Sequence, residues 1–363
     1  MNDVFVETEI ETELNTSTAN MGNPVHALQN AAQTGDLERC KALHAKHRLT
    51  RANGIAALRW AAVNGHLSVC EWAHATFGLT PDDARANNIA ALRWAAARGH
   101  LSVCEWLHAT YGLTAADARV RNNLPLQLAA TNGHLSVCQW LHATFRLTAD
   151  DARASDNWAL RWAAAYGHLA VCEWLHATYG LTAEDARADG NHALRWAAEH
   201  GRLAACKWLH ATYALTPADA RAYDNHALRW AAANGHLAVC QWVHATYGLT
   251  AADARAKDNQ ALRRAAADGH LAVCKWLYAT FGLTAADVRA DNKYALRSAT
   301  LHGHLGVCAW LRATGAKIPE ARAEAEEAPP TAAPKRDVCG RELAIALTAL
   351  ATLAAALAAL AAA

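Results

Sequence analysis

The chain has 363 residues, of which 53% are hydrophobic and 18% charged, which is the composition of a globular protein with ample apolar surface for a core. The formal net charge is +1, and 34 basic and 33 acidic side chains alternate along the sequence. A nucleic-acid-binding protein usually concentrates its basic charge, so the composition gives no support to that class. Residues 1–25 are acidic and lack the basic start and apolar run of a secretory signal. We therefore expect a disordered N-terminal segment and a cytoplasmic protein.

The dominant feature of the sequence is a repeat with a period of 34 residues. A cysteine recurs at this period, and a glycine recurs five residues ahead of it. The eight cysteines are Cys70, Cys104, Cys138, Cys172, Cys206, Cys240, Cys274 and Cys308. One shorter unit, marked by Gly35 and Cys40, precedes them. The sequence thus predicts nine units that form one repeat array over residues 26–318.

The unit over residues 156–187 predicts two helices. The first is short, at about 159–165, and the second begins after Gly167 and ends near Tyr179. Its apolar residues at helical spacing predict one buried stripe of Leu169, Cys172 and Leu175. A helix pair this short cannot bury its apolar face alone, so the period predicts an all-α solenoid in which each repeat covers its neighbour.

Turn and cap residues separate these helices. Gly180 is placed to end the second helix in the left-handed conformation. Asp156 and Asn157 have the chemistry of a turn, because Asn tolerates a positive φ and bonds to its own backbone. Thr182 and Asp185 match a small capping box, so the segment between repeats is either a short helical turn or a β-hairpin.

Two segments carry a family resemblance. Leu124-Pro125-Leu126-Gln127-Leu128-Ala129-Ala130 is similar to the Thr-Pro-Leu-His segment of ankyrin repeats, and Asp287-Val288-Arg289-Ala290 is similar to their Asp-Val-Asn-Ala segment. Tetratricopeptide repeats share the period, but their sequence pattern is absent. The array therefore resembles the ankyrin repeat family, and its Ala-Leu-Arg-Trp-Ala-Ala form resembles the arrays of giant DNA viruses. The resemblance implies a non-enzymatic scaffold or adaptor that binds a host or cellular protein through a concave face.

Positions that differ between repeats are the candidates for partner binding. They lie in the finger between repeats and at the two ends of the first helix, regions that line the concave face of ankyrin arrays. Mixed aromatic and polar residues there suit a protein interface. The predicted contact residues are Arg121, Trp158, Tyr166, His192, His200, Tyr223, His226, Lys257 and Tyr294. We expect a monomeric array with no catalytic residues, no metal and no cofactor.

Two arginine ladders leave an alternative function open. One runs from Arg59 to Arg297, and the other runs from Arg85 to Arg289, two residues after a ladder of Asp. Either the charges pair within the array, or they form a basic groove for nucleic acid or an acidic partner. The recurring Cys and His are interpreted as core and turn residues, and most Trp residues as packing between repeats.

The repeat pattern stops at Pro319. Residues 319–342 are rich in Ala, Glu and Pro and are predicted to be a linker. Residues 343–363 hold no charge, and as a helix they would be about 31 Å long, close to the thickness of a bilayer core. Three interpretations are open: a C-terminal membrane anchor, a helix that docks on protein or on itself, and a disordered tail.

Overall fold

The computed structural model describes residues 23–315, apart from the side chain of Asn292. This part of the chain is all-helical: it contains 23 helices and no strand. The all-α solenoid predicted from the repeat period is thereby confirmed. The predicted linker at 319–342 and the predicted apolar helix at 343–363 lie outside the described residues, as does most of the acidic segment 1–25. Among the described helices, none has the length and apolar character needed to cross a membrane.

Each of the nine repeats contributes a first helix and a second helix. The first helices are Pro24–Thr34, Arg51–Val63, Pro81–Ala97, Val120–Thr131, Ala149–Tyr166, Ala188–Glu199, Ala222–Ala233, Ala256–Ala267 and Ala290–Leu301. The second helices are Leu37–His47, Leu67–Phe77, Leu101–Tyr111, Leu135–Phe145, Leu169–Tyr179, Leu203–Tyr213, Leu237–Tyr247, Leu271–Thr280 and Leu305–Ala313. A separate short helix precedes five of the first helices in the chain; these short helices are Ala115–Ala118, Ala183–Ala186, Pro217–Ala220, Ala251–Ala254 and Ala285–Val288.

The second helix Leu169–Tyr179 ends where the sequence predicts. Gly180 adopts the left-handed conformation with φ of 61°, and its N–H donates to the carbonyl oxygen of His176 over 2.9 Å. The buried stripe differs slightly from the prediction, because Leu169 is half-buried. The residues that fill the stripe are Val171, Cys172, Leu175 and Tyr179.

The segment between repeats is a short helix. Thr182 and Asp185 form the predicted capping box at the start of Ala183–Ala186. In two repeats this helix continues into the first helix through a kink, as in Ala149–Tyr166. Of the two conformations that the sequence left open, the structure thus has the helical turn and not the hairpin.

A left-handed turn joins each short helix to the first helix that follows. Ser155, Asp156 and Asn157 have φ of 55°, 55° and 60°, so three consecutive residues are left-handed. The same conformation recurs in the turns that start at Asn87, Arg121, Asp189, Tyr223 and Lys257. Each non-glycine residue in this region costs about 1–2 kcal/mol. Asn and Asp bear this cost best, which is why they occupy most of these positions.

Neighbouring repeats bury small residues against one another. Ala163, Ala164 and Ala165 of one first helix are fully buried, and such residues let adjacent first helices approach closely. Where the chain passes from first to second helix, Gly133 has φ of 79°, and an added Cβ would lie 2.4 Å from the imidazole of His168 in the next repeat. Glycine at this turn therefore serves both the backbone conformation and the stacking of repeats.

Candidate protein-binding surface

The first arginine ladder binds the left-handed turns. Arg195 donates from Nε to the carbonyl oxygen of Gly190 and from Nη2 to that of Asp189, each over 2.8 Å. In the fourth repeat Gln127 takes this position and donates to the carbonyl oxygen of Asn122 over 2.6 Å. Equivalent bonds to turn carbonyls are made by Arg93, Arg161, Arg229 and Arg263. These guanidinium groups offset the cost of the turn by donating hydrogen bonds to the carbonyl oxygens of its left-handed residues.

The second arginine ladder pairs with aspartate of the next repeat. Arg153 donates to both carboxylate oxygens of Asp185, over 2.9 and 3.2 Å. The same carboxylate accepts from the backbone N–H and the hydroxyl of Thr182, over 2.8 and 3.1 Å. The pattern recurs from Arg85, Arg119, Arg187, Arg221 and Arg255 to Asp117, Asp151, Asp219, Asp253 and Asp287. One carboxylate thus caps a helix and joins two repeats at once.

The ion pairs with arginine shift the pKa values of these aspartates. Burial alone would raise the pKa of Asp151, but hydrogen bonds from Arg119 and Thr148 outweigh burial and lower the pKa to about 2. Both ladders are therefore engaged inside the array. This geometry supports the charge-pairing interpretation and gives no support to a basic groove for nucleic acid.

The recurring histidines and tryptophans of the second helices pack between repeats. The Nδ1 atom of His176 lies 3.0 Å from the carbonyl oxygen of Leu181. Its ring meets Trp208 of the next repeat edge-on at 6.2 Å and Tyr213 at 5.3 Å. The interpretation of the tryptophans as packing between repeats is confirmed for the second helices, and the histidines of these helices share in that packing.

The cysteines belong to the core. All nine within the described residues are buried and free of disulfide bonds. Burial raises the pKa of Cys70 to about 12, which keeps the thiol protonated and unreactive at neutral pH. Within residues 23–315, no group of His, Cys, Asp or Glu has the arrangement needed to hold a metal ion.

On each first helix, residues spaced at i, i+4 and i+8 lie on one face. In the fifth and sixth repeats all six of these residues carry aromatic rings. We call these six residues the aromatic patch: Trp158, Trp162, Tyr166, His192, Trp196 and His200. Within the first column, Trp162 stacks on Tyr166 with a centroid distance of 5.6 Å. Within the second, Trp196 stacks on His200 at the same distance. Because these residues share one helical phase, the patch is continuous across both repeats.

The two columns of the patch also contact each other. Trp162 lies 5.4 Å from Trp196, and Tyr166 lies 5.5 Å from His200. Trp158 anchors one end by donating from Nε1 to the hydroxyl of Thr131 over 3.3 Å. The preceding repeat continues the apolar face with Leu128, which belongs to a cluster with Trp94.

Three of the predicted contact residues lie half-exposed on this patch: Trp158, Tyr166 and His200. His192 is a correction, because it is only 6% exposed and stacks on Trp196 at 5.1 Å. Its buried ring packs against Trp162 and Trp196 and is not accessible to a partner in this conformation. His226 lies one repeat further on and is half-buried. Burial together with the charges of Arg195 and Arg229 lowers its pKa to about 3, although Oε2 of Glu199 lies 3.6 Å from its Nε2.

Three of the other predicted residues, Arg121, Tyr223 and Lys257, lie on the turns. Tyr223 is 58% exposed, and its ring covers the guanidinium of Arg195 at 4.1 Å. Lys257 is exposed and pairs with Asp224 over 2.9 Å. Arg121 is exposed on the turn of the fourth repeat. Tyr294 is exposed at the start of the first helix of the ninth repeat, at the position that Trp158 occupies in the fifth, so the structure does not bring Arg121 and Tyr294 together.

The sequence interpretation missed the centre of the patch. Trp162 and Trp196 are 4% and 7% exposed, which agrees with their assignment to packing. They also join the half-exposed rings around them into one surface. The spacing of Trp158, Trp162 and Tyr166 at i, i+4 and i+8 was the signal that could have shown it.

Stacked pairs of helices joined by regular turns define a helical repeat protein. Residues 92–180, 126–219 and 160–258 match a family model described as ankyrin repeats in three copies. Residues 58–108 and 262–312 match a model described as ankyrin repeats in many copies. Together these matches cover more than half of the chain, and the protein belongs to the ankyrin repeat family.

Solved structures give a weaker likeness. An ankyrin repeat family protein from Legionella pneumophila is similar over 87% of this chain and 89% of its own, with 16% identity and a TM-score of 0.32. No curated protein matches the chain. Ankyrin repeats in general mediate protein–protein interaction, and the proteins that carry them are typically non-enzymatic scaffolds.

Proposed function

We propose that this protein is a non-enzymatic adaptor that binds a protein partner through the aromatic patch and the adjoining turn at Tyr223. The observation that carries the proposal is the joining of half-exposed aromatic rings across two repeats. Aromatic residues on a rigid, preorganised support lose little entropy on binding and dominate the energetics of protein interfaces. The buried Trp162 and Trp196 hold the exposed rings in place.

The position of the patch within the array supports the same proposal. Residues that serve stacking recur in most units, whereas the half-exposed residues of the patch, Trp158, Tyr166 and His200, occupy positions that differ between units. At the position of Tyr166 and His200, the flanking repeats carry Asn132 and Asn234. The repeat therefore tolerates asparagine there, and stacking does not require an aromatic ring.

The test exchanges patch residues for those that other repeats carry at the same position. The variant combines Tyr166→Asn, His200→Asn and Tyr223→Ser, because Ser155 is the equivalent of Tyr223. The full chain is used to capture a partner from the cytoplasm of the source cells, and the purified partner is then titrated. We expect the variant to bind at least about a hundredfold more weakly, given roughly 1–2 kcal/mol for each of the three interface residues.

A matched control carries the same kind of exchange outside the patch. Arg98→Asn and Asp268→Asn change the same helix position in the third and eighth repeats. We expect this control to bind like the parent, and both variants to keep the helical circular dichroism of the parent. Equal partner affinity in the patch variant and the parent would refute the proposed site.

A further inference from the structure

The second helices expose a ridge on a different face from the aromatic patch. In the fifth repeat the ridge consists of Ala170, Glu173 and Ala177, which follow one another at helical spacing and are all exposed. Every repeat from the second to the eighth has Ser or Ala at the first position and Ala at the third. Small residues on both sides leave the middle side chain prominent and let another surface approach the helix closely.

The middle position of the ridge carries an ordered pattern of charge. From the second to the ninth repeat it reads Glu71, Glu105, Gln139, Glu173, Lys207, Gln241, Lys275 and Ala309, and all eight are exposed. The sign changes once, between Glu173 and Lys207. Lys41 at the same position of the first repeat lies outside the pattern, because it pairs with Glu38 over 2.7 Å.

The pattern is complementary to itself in reverse order. The row can be aligned with a reversed copy of itself about the midpoint between Glu173 and Lys207. In this alignment Glu173 faces Lys207, Gln139 faces Gln241, and Glu105 faces Lys275. No like charges meet at any position of the overlap. Most Asp and Arg residues on the other faces pair within the chain, but among residues 23–315 the structure gives none of these five ridge charges an ion-pair partner.

A two-fold axis produces this alignment directly. If the axis runs parallel to the second helices, it reverses the order of the repeats and keeps each residue's height along its helix. Residues at the same position of different repeats then face each other, as Glu173 and Lys207 require. Such an interface is isologous, so each favourable contact occurs twice.

We propose that a second copy of this chain binds to the ridge, so that the protein forms an antiparallel two-fold dimer centred on the fifth and sixth repeats. At the centre, Glu173 of each copy pairs with Lys207 of the other, and Glu105 pairs with Lys275 further out. The half-buried Trp174 and Trp208 beside the ridge add apolar surface. This departs from the expectation of a monomeric array, and it leaves the aromatic patch of both copies open.

The test uses charge reversal and mixing. Glu173→Lys replaces two attractive pairs of the dimer with two pairs of like charge, and Lys207→Glu does the same with the opposite sign. Sedimentation velocity of the full-length chain at low salt should show a dimer for the parent. Each single variant should raise the dimer dissociation constant by about a hundredfold or more, because both central contacts then bring like charges together. Asp268→Lys, an equal charge change on the first-helix side, should leave the dimer unchanged.

Mixing the two single variants distinguishes this dimer from any effect on folding. In the mixed dimer both central pairs are attractive again, so the two variants should associate with each other although neither associates with itself. The double variant Glu173→Lys with Lys207→Glu should likewise dimerise as the parent does. A parent that stays monomeric at every concentration, single variants that dimerise normally, or a mixture that stays monomeric would each overturn the proposal.

Discussion

The first and second helices of this protein are built to different rules, although they alternate along the same chain. The second helices nearly repeat one sequence, Leu-x-Val-Cys-x-Trp-Leu-His-Ala-Thr, from the third repeat to the seventh. The first helices keep their alanines and, in most repeats, a tryptophan at i+4, and they change the residues at i and i+8. In an array of repeats, the positions that all repeats share serve stacking, and the positions that differ between repeats can contact a partner. The comparison predicts that common positions affect stability and variable positions affect binding.

The largest loss of stability is expected at Asp185, which is common to the repeats. Its carboxylate accepts four hydrogen bonds, two from Arg153 and two from Thr182. Asp185→Ala removes the cap of a helix and leaves the arginine of the preceding repeat without its acceptor. We expect a loss of about 2–4 kcal/mol in the free energy of unfolding, measured by urea denaturation followed by circular dichroism.

The neighbouring Glu184 provides the control for this change. It is exposed, and Ala252 and Ala286 occupy the same position in later repeats. Glu184→Ala should therefore change stability by less than about 0.5 kcal/mol. Equal losses in the two variants would show that the shared carboxylate does not join the repeats.

A smaller and pH-dependent effect is expected at His226, which is a variable position. Its pKa of about 3 in the folded chain lies below the ordinary value of 6.5. The unfolded chain therefore binds a proton first, and stability is lost as the pH falls below about 6.5. At pH 5 the loss from this residue alone amounts to about 2 kcal/mol, at 1.36 kcal/mol for each pKa unit.

His226→Gln tests this directly, because Gln260 occupies the same position in the next repeat. Denaturation at pH 7 and pH 5 should show a smaller difference between the two pH values in the variant than in the parent. Burial also lowers the pKa of His200, but this residue is present in both the parent and the variant. Its contribution to the pH dependence is therefore the same in both, and the difference between the two proteins reports on His226. If the parent and the variant lose equal stability between the two pH values, the protonation of His226 is not linked to folding.

The sequence predicted those parts of the structure that depend on local chemistry. Gly180 and the Thr182–Asp185 box lie where their residue types indicate, because a cap is decided within a few residues of the chain. The left-handed turn was only partly foreseen, at Asp156 and Asn157. Ser155 and Tyr223 have no preference for positive φ, and the turn is held by an arginine six residues further along.

The aromatic patch could not be predicted as a unit for a related reason. Trp162 and Trp196 lie one repeat apart in the chain, and their contact depends on the stacking distance between first helices. His192 and His200 occupy similar variable positions in the sequence, yet one is buried and the other half-exposed. Position along the helix does not decide burial, because Trp158 occupies the same position as His192 and is half-exposed. The neighbouring side chains decide it, and these are known only from the packed structure.

The smallest effect on the free energy of unfolding is expected at Tyr213 in a second helix. It tests whether every feature common to the second helices contributes to stability. The hydroxyl oxygen of Tyr213 is buried, and no residue of the described chain forms a hydrogen bond with it. Burial raises the pKa of Tyr213, so the hydroxyl stays neutral. Phe145 and Phe281 occupy the same position in other repeats, so the stack accepts a ring without a hydroxyl.

Tyr213→Phe should therefore leave stability unchanged or raise it by up to about 1 kcal/mol, because a buried polar group without a partner is destabilising. The reverse change Phe145→Tyr should lower it by a similar amount, and urea denaturation of both variants at pH 7 measures the pair. If Tyr213→Phe lowers stability by more than about 1 kcal/mol, the hydroxyl contributes to stacking. The near-identical sequence of the second helices would then reflect a need for each of its polar atoms as well as for its shape.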